Sequence, residues 1–226
     1  MLFLVLGRGK TGRVIADVAT EHGHGLRVVG EEENRHAMAL TAPFLASFDA
    51  VIDFTTPEAA VSNMRACLAN GARMVVGTTG WYDHLDDMRS LAARKGAGFL
   101  YGTNFSIGVQ TMYRLAREMA VAVPHYRFRI IETHHTEKKD APSGTALSLR
   151  QVVQTANPSI NVEIESKRLG DVAGVHILEA RTEDEAIELK HESFSRRAFA
   201  EGAVRAAEWI AGKTGVWDFS EIANQL

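Results

Sequence analysis

The chain has 226 residues, of which 46% are hydrophobic and 23% charged, and its formal net charge is −3. These values are typical of a globular protein with a sizeable core, and they give no reason to expect nucleic acid or a membrane surface as a partner. The single cysteine, Cys67, excludes an intrachain disulfide and is typical of a reducing compartment, so we expect a cytoplasmic protein. No apolar stretch is long enough to span a bilayer, and the first residues lack the basic leader of a signal peptide.

Short apolar runs alternate with amphipathic helical segments through the first half of the chain. The apolar runs, which are typical of buried strands, are LFLVLG, LRVVG, DAVIDFT, ARMVVGTTG and GFLYGTNF. Helical spacing is found between them in KTGRVIADVATEHG, PEAAVSNMRACLANG and WYDHLDDMRSLAARKG. This strand–helix–strand order predicts an α/β fold, in which helices cover both faces of a parallel sheet.

The second half of the chain has a different pattern. A helix, SIGVQTMYRLAREMAVAV, is followed by a strand, YRFRIIET, and by a second helix for which Ser143 is a plausible N-cap. Three strands with alternating polarity come next, in NVEIESKR, GVHILEART and EAIELKHES, with a hairpin between the last two. We therefore predict a Rossmann-like dinucleotide-binding domain at 1–104, completed by a final helix within 198–226, and a smaller α+β substrate-binding domain with a mixed or antiparallel sheet at 105–197.

A glycine-rich turn, G-x-G-x-x-G, lies between the first predicted strand and the first helix. Glycines there let a pyrophosphate approach the backbone, and the helix N-terminus offers free N–H groups to it. An ordinary tight turn is the alternative, because the motif alone is a weak signal. The candidate cofactor contacts in this turn are Gly7, Gly9, Lys10, Thr11 and Gly12.

Three glutamates, Glu31 to Glu33, close the second predicted strand, where an acidic residue usually binds the ribose hydroxyls of a dinucleotide. We favour Glu33, followed by Asn34, for this role. Lys10 or Arg35 could meet a 2′-phosphate, so the residues leave NADPH and NADH both open as the cofactor.

Two further strand ends carry loops without bulky charged side chains. Ligands of open α/β sheets bind outside the carboxyl ends of the strands, so these loops are candidates for a slot that holds a flat nicotinamide ring. Ordinary turn chemistry is the alternative. The candidate residues are Phe54, Thr55, Gly77, Thr78 and Thr79.

The segment ETHHTEKKDAPSGTAL, residues 132–147, concentrates titratable side chains in one turn. His134 and Lys138 are four residues apart on a predicted loop, and either can donate the proton that must accompany hydride addition. The turn Ser143-Gly144-Thr145, which we call the anion seat, opens a helix and suits a carboxylate. Together with His135 and Lys139 it favours a dianionic substrate.

A metal is the alternative explanation for the adjacent histidines of this segment. No cysteine lies near them, and Glu132 precedes a β-branched residue at strand spacing, so we predict no metal site. The remaining histidines, including His22 and His24, have no evident partner in the sequence.

The segment 132–146 matches the form E-x-H-H-x-x-K-x-D-A-P-S-G-T-A, and the chain is identified by it as resembling the dihydrodipicolinate reductase family. Shorter matches follow the same order along nearly the whole chain: DFT at Asp53, GTTG at Gly77, NFSIGV at Asn104, GVH at Gly174 and SRRAFAEGAVRAAEW at Ser195. The resemblance implies reduction of 4-hydroxy-tetrahydrodipicolinate to tetrahydrodipicolinate, with hydride from NADPH or NADH, in diaminopimelate and lysine biosynthesis.

The resemblance also implies roles for residues. It makes His134 and Lys138 catalytic. It assigns substrate carboxylates to His135, Lys138, Gly144 and Thr145, beside Ser143 of the anion seat. It adds Thr103, Asn104 and Phe105 to the cofactor contacts. It further implies a homo-oligomer joined through the sheet of the second domain, a tetramer in many members; because this chain is short for the family, a dimer stays open.

Two other functions remain as alternatives. One is a catalytically silent dinucleotide-binding redox sensor on the same fold. The presence of both His134 and Lys138 argues against it, since a sensor needs neither. The other is a different nicotinamide enzyme, such as an amino acid dehydrogenase, which the anion seat following a His-His-x-x-Lys run disfavours.

Overall fold

The computed structural model describes residues 1–226. The chain forms two compact units: unit 1 consists of Met1–Ile107 with Arg196–Leu226, and unit 2 of Gly108–Ser195. None of the helices is both long and apolar enough to cross a bilayer.

The strands, in chain order, are β1 (Leu2–Leu6), β2 (Gly25–Val29), β3 (Ala50–Asp53), β4 (Arg73–Val76), β5 (Gly98–Tyr101), β6 (Arg127–His134), β7 (Val162–Arg168), β8 (Gly174–Arg181), β9 (Ala186–Ser193) and β10 (Gly215–Asp218). The helices are α1 (Lys10–Glu21), α2 (Ala42–Leu45), α3 (Pro57–Ala69), α4 (Leu85–Lys95), α5 (Ile107–Ala122), α6 (Gly144–Ala156), α7 (Arg197–Ile210) and α8 (Phe219–Ile222).

Unit 1 is built on a six-stranded sheet in the order β10-β5-β4-β3-β1-β2, and every pair in it is parallel. The α/β prediction is thereby confirmed, with one addition. The sequence prediction stopped at the last long helix, whereas the chain continues into β10, which pairs with β5 and closes the sheet at that edge.

The parallel sheet is buried on both faces, as the apolar runs predict. Along β1, Phe3 and Val5 face a core shared with α1 and α7, while Leu4 and Leu6 face the core on the other side, shared with α3 and α4. Gly202 lets helix α7 pack closely against the backbone at Phe105, because a Cβ at Gly202 would lie 1.7 Å from the carbonyl oxygen of Phe105.

Unit 2 is built on a mixed four-stranded sheet in the order β7-β6-β8-β9. Strand β7 is parallel to β6, whereas β8 is antiparallel to both β6 and β9. Helices α5 and α6 contribute to the core of this unit, which includes Phe128 and Ile130 of β6. A mixed sheet in the second half of the chain was predicted, and it is confirmed.

From Phe128 onward, strand β6 alternates strictly between buried and partly exposed residues. Because successive side chains of a strand point to opposite faces, Glu132 and His134 lie on the same face as Phe128 and Ile130. The prediction that placed His134 on a loop is wrong: His134 is the last residue of β6, held there by pairing with Arg168 of β7. Strand geometry thus places two titratable groups on the buried face.

Candidate functional site

The glycine-rich turn of unit 1 connects β1 to α1, and no side chain caps the N-terminus of α1. Gly9 is the N-cap of α1, and no side-chain cap satisfies the first-turn N–H groups. A Cβ added at Gly9 would meet nothing within 4 Å. Open space in front of free N–H groups is what an anion such as a pyrophosphate requires.

The other two glycines of the motif have a packing role. Gly7 has a φ of +108°, and a Cβ there would lie 2.3 Å from the carbonyl oxygen of Phe54. A Cβ at Gly12 would lie 2.1 Å from the carbonyl oxygen of Gly7. The motif therefore contains one glycine that leaves room for a ligand and two that allow the turn to close.

Two cavities adjoin at this turn and share Gly9, Phe54 and Thr55. The first has a volume of about 410 Å³ and extends toward the turn after β2, and the second has a volume of about 390 Å³ and extends toward the loop after β4. The predicted cofactor residues that line one or both are Gly7, Gly9, Lys10, Thr11, Asn34, Phe54, Thr55, Gly77, Thr78 and Thr79. Sequence reasoning missed the lining residues Arg8 and Arg196.

The turn after β2 contains the three glutamates, because β2 ends at Val29. The prediction that they close the second strand is therefore corrected, since they follow its end. Glu31 lines the first cavity, while the carboxylate of Glu33 is ion-paired with Arg8 and lies 3.1 Å from Nη2 of Arg27. The acid favoured from the sequence is thus already neutralised by two arginines.

The same cavity wall contains strained backbone. His36 and Ala37 have φ angles of 52° and 61°, which residues with a Cβ seldom adopt. Both line the first cavity together with Arg35. Asn34 is held from behind, since its Nδ2 donates to Oδ1 of Asn63 at 2.8 Å.

A buried carboxylate joins the loops that follow β3 and β4. Asp53 is fully buried and accepts hydrogen bonds of 2.7 Å from the hydroxyls of Thr55 and Thr78 and from Nδ2 of Asn63. Burial raises the pKa of Asp53, and these hydrogen bonds act against the rise. The sequence placed Asp53 among the strand ends of the candidate slot but gave it no role of its own, although a carboxylate after β3 and threonines after both β3 and β4 were a signal for it.

Phe54 lies across the second loop. A Cβ at Gly77 would come 2.1 Å from Cζ of Phe54, so only glycine permits this ring position. The ring of Phe54 also contacts Phe105 edge-on at a centroid distance of 5.8 Å, and Phe105 is part of the core. Of the other residues in that predicted segment, Thr103 is exposed and Asn104 accepts at Oδ1 from the backbone N–H of Ser106.

In unit 2, strand register brings three titratable side chains together. Glu132 of β6 is directly opposite His176 of β8, and His134 is two residues further along β6 on the same face. The rings of His134 and His176 are 5.0 Å apart. Glu132 is 0%, His134 7% and His176 5% exposed, so the cluster is buried. Sequence reasoning missed His176, which only the pairing of β6 with β8 places there.

Ser143 connects this cluster to α6. Its hydroxyl accepts from the backbone N–H of Ala146 at 3.2 Å, which confirms the predicted N-cap, and lies 3.1 Å from Nε2 of His176. Its own backbone N–H is 3.1 Å from each carboxylate oxygen of Glu132. Ser143 is 3% exposed, whereas Gly144 is exposed and Thr145 partly exposed.

The loop after β6 is fastened by two cations. Lys138 donates from Nζ to both carboxylate oxygens of Asp140 at 2.8 Å, which lowers the pKa of Asp140. Arg168 lies with Nη2 3.4 Å from Glu132 and donates from Nε to the carbonyl oxygen of Lys138 at 3.2 Å. Arg168 was missed from the sequence. The two other predicted binding residues here differ in exposure: His135 is partly exposed and Lys139 exposed.

Burial sets the charge states of the cluster. Burial lowers the pKa of His134, although the Glu132 carboxylate acts in the opposite direction. Burial lowers the pKa of His176 to about 4. Burial acts to raise the pKa of Glu132, but hydrogen bonds from Ser143 bring it below its ordinary value. At neutral pH the cluster therefore holds one carboxylate and a neutral His176.

Two groups of side chains bring potential metal-binding atoms within 4.8 Å of one another: Glu132, His134 and His176, and on unit 1 His22, His24 and Glu208. In the first group Glu132 and His176 are engaged with Ser143, so we assign it as a hydrogen-bond network. In the second, Oε1 of Glu208 is 3.0 Å from Nδ1 of His22 and 2.7 Å from Nε2 of His24. The expectation that these histidines lack partners is corrected.

Comparison with known proteins indicates the same family as the motif in residues 132–146. The family model described as "Dihydrodipicolinate reductase, N-terminus" matches residues 1–105, and the one described as "Dihydrodipicolinate reductase, C-terminus" matches residues 108–222. The 4-hydroxy-tetrahydrodipicolinate reductase of Natronomonas pharaonis is 37% identical, over 94% of this chain and 96% of the relative. That of Christiangramia forsetii is 30% identical, over 100% and 99%.

Among solved structures, the dipicolinate-bound dihydrodipicolinate reductase of Paenisporosarcina sp. TG-14 superposes with a TM-score of 0.84. The match covers 100% of this chain and 99% of the other, at 23% identity. At that identity the likeness establishes the fold.

Proposed function

The chain belongs to the dihydrodipicolinate reductase family, and on that premise we propose that it reduces 4-hydroxy-tetrahydrodipicolinate to tetrahydrodipicolinate with NADPH or NADH. The observation that carries the proposal is the match of both family models, one to residues 1–105 and one to residues 108–222. The buried His134 cluster next to the anion seat supports the proposal. The dianionic substrate needs a binding site for its carboxylates, and its reduction needs a proton donor.

We propose that unit 1 binds the dinucleotide in the two adjoining cavities. The residues fit such a group, because Gly9 leaves open space before the uncapped end of α1. The pyrophosphate would be held by the first-turn N–H groups of α1, and the nicotinamide by the loops that carry Thr55 and Thr79. Arg8 and Arg35 line the cavity nearer to the glutamates and suit a 2′-phosphate, which supports use of NADPH as well as NADH.

We propose that unit 2 binds the dicarboxylate. The backbone N–H groups of Gly144 and Thr145 at the start of α6 donate hydrogen bonds to one carboxylate, and His135 and Lys138 add positive charge. A bound reduced dinucleotide would supply hydride, the 4-hydroxyl of the substrate leaves as water, and the proton that accompanies the hydride is assigned to His134. Lys138 assists by replacing its contact with Asp140 by one to the substrate.

The test of this function is calorimetric titration of the purified protein with NADPH and with NADH, with and without pyridine-2,6-dicarboxylate, followed by turnover of substrate made in situ from pyruvate and aspartate semialdehyde. We expect the dicarboxylate to bind in the presence of dinucleotide and turnover to consume the reduced cofactor. Dinucleotide binding without dicarboxylate binding or turnover would instead identify a catalytically silent redox sensor.

We also propose a homo-oligomer, tetramer or dimer, formed through the sheet of unit 2. Strand β9 is largely exposed, and Phe194, which follows it, is 85% exposed. Ile187 of β9 is also exposed, at 39%, and exposed large apolar side chains are common in protein–protein interfaces. Light scattering after size-exclusion chromatography would refute the proposal if it found a monomer.

A further inference from the structure

We propose that Glu132 is a positioning residue that holds the Nδ1 proton of His134, turns Nε2 of that ring outward, and fixes the anion seat through the same carboxylate. The inference rests on the proposed function, in which His134 is the proton donor. It gives a function to Glu132, to which neither the sequence motif nor the family resemblance assigned one.

The first support is the orientation of the imidazole. Nδ1 of His134 is buried, lacks a hydrogen-bond partner, and lies 3.5 Å from Oε2 of Glu132. A contact of this length in a ligand-free site can tighten when the substrate binds. An imidazole whose Nδ1–H points at a carboxylate is fixed in one tautomer and one ring orientation.

The second support is the space beside the opposite nitrogen. A Cβ at Gly174 would lie 3.3 Å from Nε2 of His134 and 3.4 Å from its Cδ2. The absence of a side chain at Gly174 therefore keeps the neighbourhood of Nε2 open. With Nδ1 directed to Glu132, Nε2 is the nitrogen that can deliver a proton outward.

The third support is the shared use of one carboxylate. Both oxygens of Glu132 accept from the backbone N–H of Ser143, the residue that caps α6. A movement of Glu132 would therefore shift the proton donor and the helix N-terminus together. His176 completes the arrangement, since its Nε2 lies 3.1 Å from the Ser143 hydroxyl and 3.8 Å from Oε2 of Glu132.

The charges around His134 determine how it titrates. The groups that face it are Glu132 on β6, Lys138 and Asp140 in the loop that follows, Arg168 on β7 and His176 on β8. Glu132 and Asp140 favour the imidazolium, whereas the two cations oppose it. Because Glu132 is the fully buried carboxylate in contact with the ring, loss of its charge should affect the protonation of His134 most.

The experiment compares Glu132→Gln with the parent enzyme in steady-state kinetics across pH. Glutamine keeps the size and one accepting oxygen for Ser143 but removes the charge. We expect kcat to fall about 10–100-fold, the range found for carboxylates that orient metal-binding histidines through the second ring nitrogen. The protonated His134 is the active form, so activity falls as pH rises through its pKa. Loss of Glu132 lowers that pKa, and the alkaline limb of kcat/KM should move down by about one pH unit.

Two further readouts separate positioning from damage. At a pH low enough for His134 to be protonated in both proteins, affinity for pyridine-2,6-dicarboxylate should be unchanged or tighter, because a negative charge near the anion has been removed. The matched control is Glu179→Gln, a buried carboxylate of the same sheet that lies 3.3 Å from Arg129 rather than near His134. It should leave the pH profile in place. A Glu132→Gln profile that coincides with the parent profile would overturn the proposal.

A measurement on the unmodified protein covers the case in which Glu132→Gln does not fold. Nitrogen NMR of the imidazoles, with His134 assigned through His134→Gln, should show Nδ1 protonated at neutral pH. A bare Nδ1 with the proton on Nε2 would refute the inference even in an active enzyme. Absence of turnover in the parent protein would instead refute the proposed function.

Discussion

The two units use their sequence motifs in opposite ways. In unit 1 the candidate site is made by missing side chains: Gly9 leaves free N–H groups and open space, and Gly77 leaves room for the ring of Phe54. In unit 2 the polar groups are present but engaged with one another, so that Glu132, Ser143 and His176 form a buried network. A glycine motif can be recognised in a sequence, whereas a hydrogen-bond network depends on residues that only the fold brings together.

This difference separates binding from chemistry. Changes in unit 1 should act on dinucleotide affinity, because the two cavities that adjoin the uncapped end of α1 lie in this unit. Changes in unit 2 should act on rate and on pH dependence, because its groups differ in charge and burial.

The largest effect is expected for His134→Gln. Loss of a proton donor should lower kcat by about 10²–10⁴-fold, while affinity for NADPH and NADH stays within about twofold of the parent value. Steady-state kinetics and calorimetry measure the two quantities. His125→Gln, an exposed histidine of the same unit, is the control. Equal losses in rate and in dinucleotide affinity would show that the two units do not divide the work in this way.

A second prediction tests the two kinds of glycine in one motif. Gly9→Ser should fold normally, because serine is a favoured N-cap and the φ of Gly9 is −71°. Its hydroxyl would accept the first-turn N–H groups and enter the cavity, so dinucleotide affinity should fall about tenfold. Gly7→Ser should instead destabilise unit 1 by about 1–3 kcal/mol, because of its φ of +108° and the contact with Phe54.

Thermal melts and calorimetry separate these two variants. If Gly9→Ser bound dinucleotide as well as the parent protein, the uncapped end of α1 would have no part in binding. If Gly7→Ser were as stable as the parent, the geometric explanation of that glycine would be wrong.

A third prediction concerns protons. Burial places the pKa of His134 below its ordinary value, so the ring is neutral at neutral pH in the ligand-free protein. A bound dianion favours the imidazolium and raises that pKa, so binding of pyridine-2,6-dicarboxylate should take up as much as about one proton per site. Calorimetry in buffers of different ionisation enthalpy measures the uptake. It should vanish in His134→Gln and should diminish as pH falls below the pKa of the free ring.

Strand and helix patterns predicted most of the fold, because the buried face of each element requires apolar residues at the spacing of that strand or helix. Ser143 as N-cap and the glycine-rich turn were predictable for the same reason, since their chemistry is local. Strand β10 was not, because its four residues, GVWD, are only partly buried and form no apolar run, and the pairing with β5 is what makes them a strand. His176 was missed for a similar reason: its position opposite Glu132 depends on the register of two strands separated along the chain.

The smallest effect is expected in the turn after β2, where sequence and geometry favour different acids. The pattern favoured Glu33 for the ribose, but its carboxylate is ion-paired with Arg8 and Arg27, whereas Glu31 lines the cavity. A carboxylate that already has two cationic partners gains less from a hydroxyl donor than one facing open space. We therefore expect Glu31→Gln to weaken dinucleotide binding about fivefold and Glu33→Gln about twofold. Calorimetric titration of the two variants side by side decides the matter. A larger loss for Glu33→Gln would restore the prediction made from the sequence, and it would mean that Arg8 and Arg27 orient the ribose-binding acid rather than occupy it.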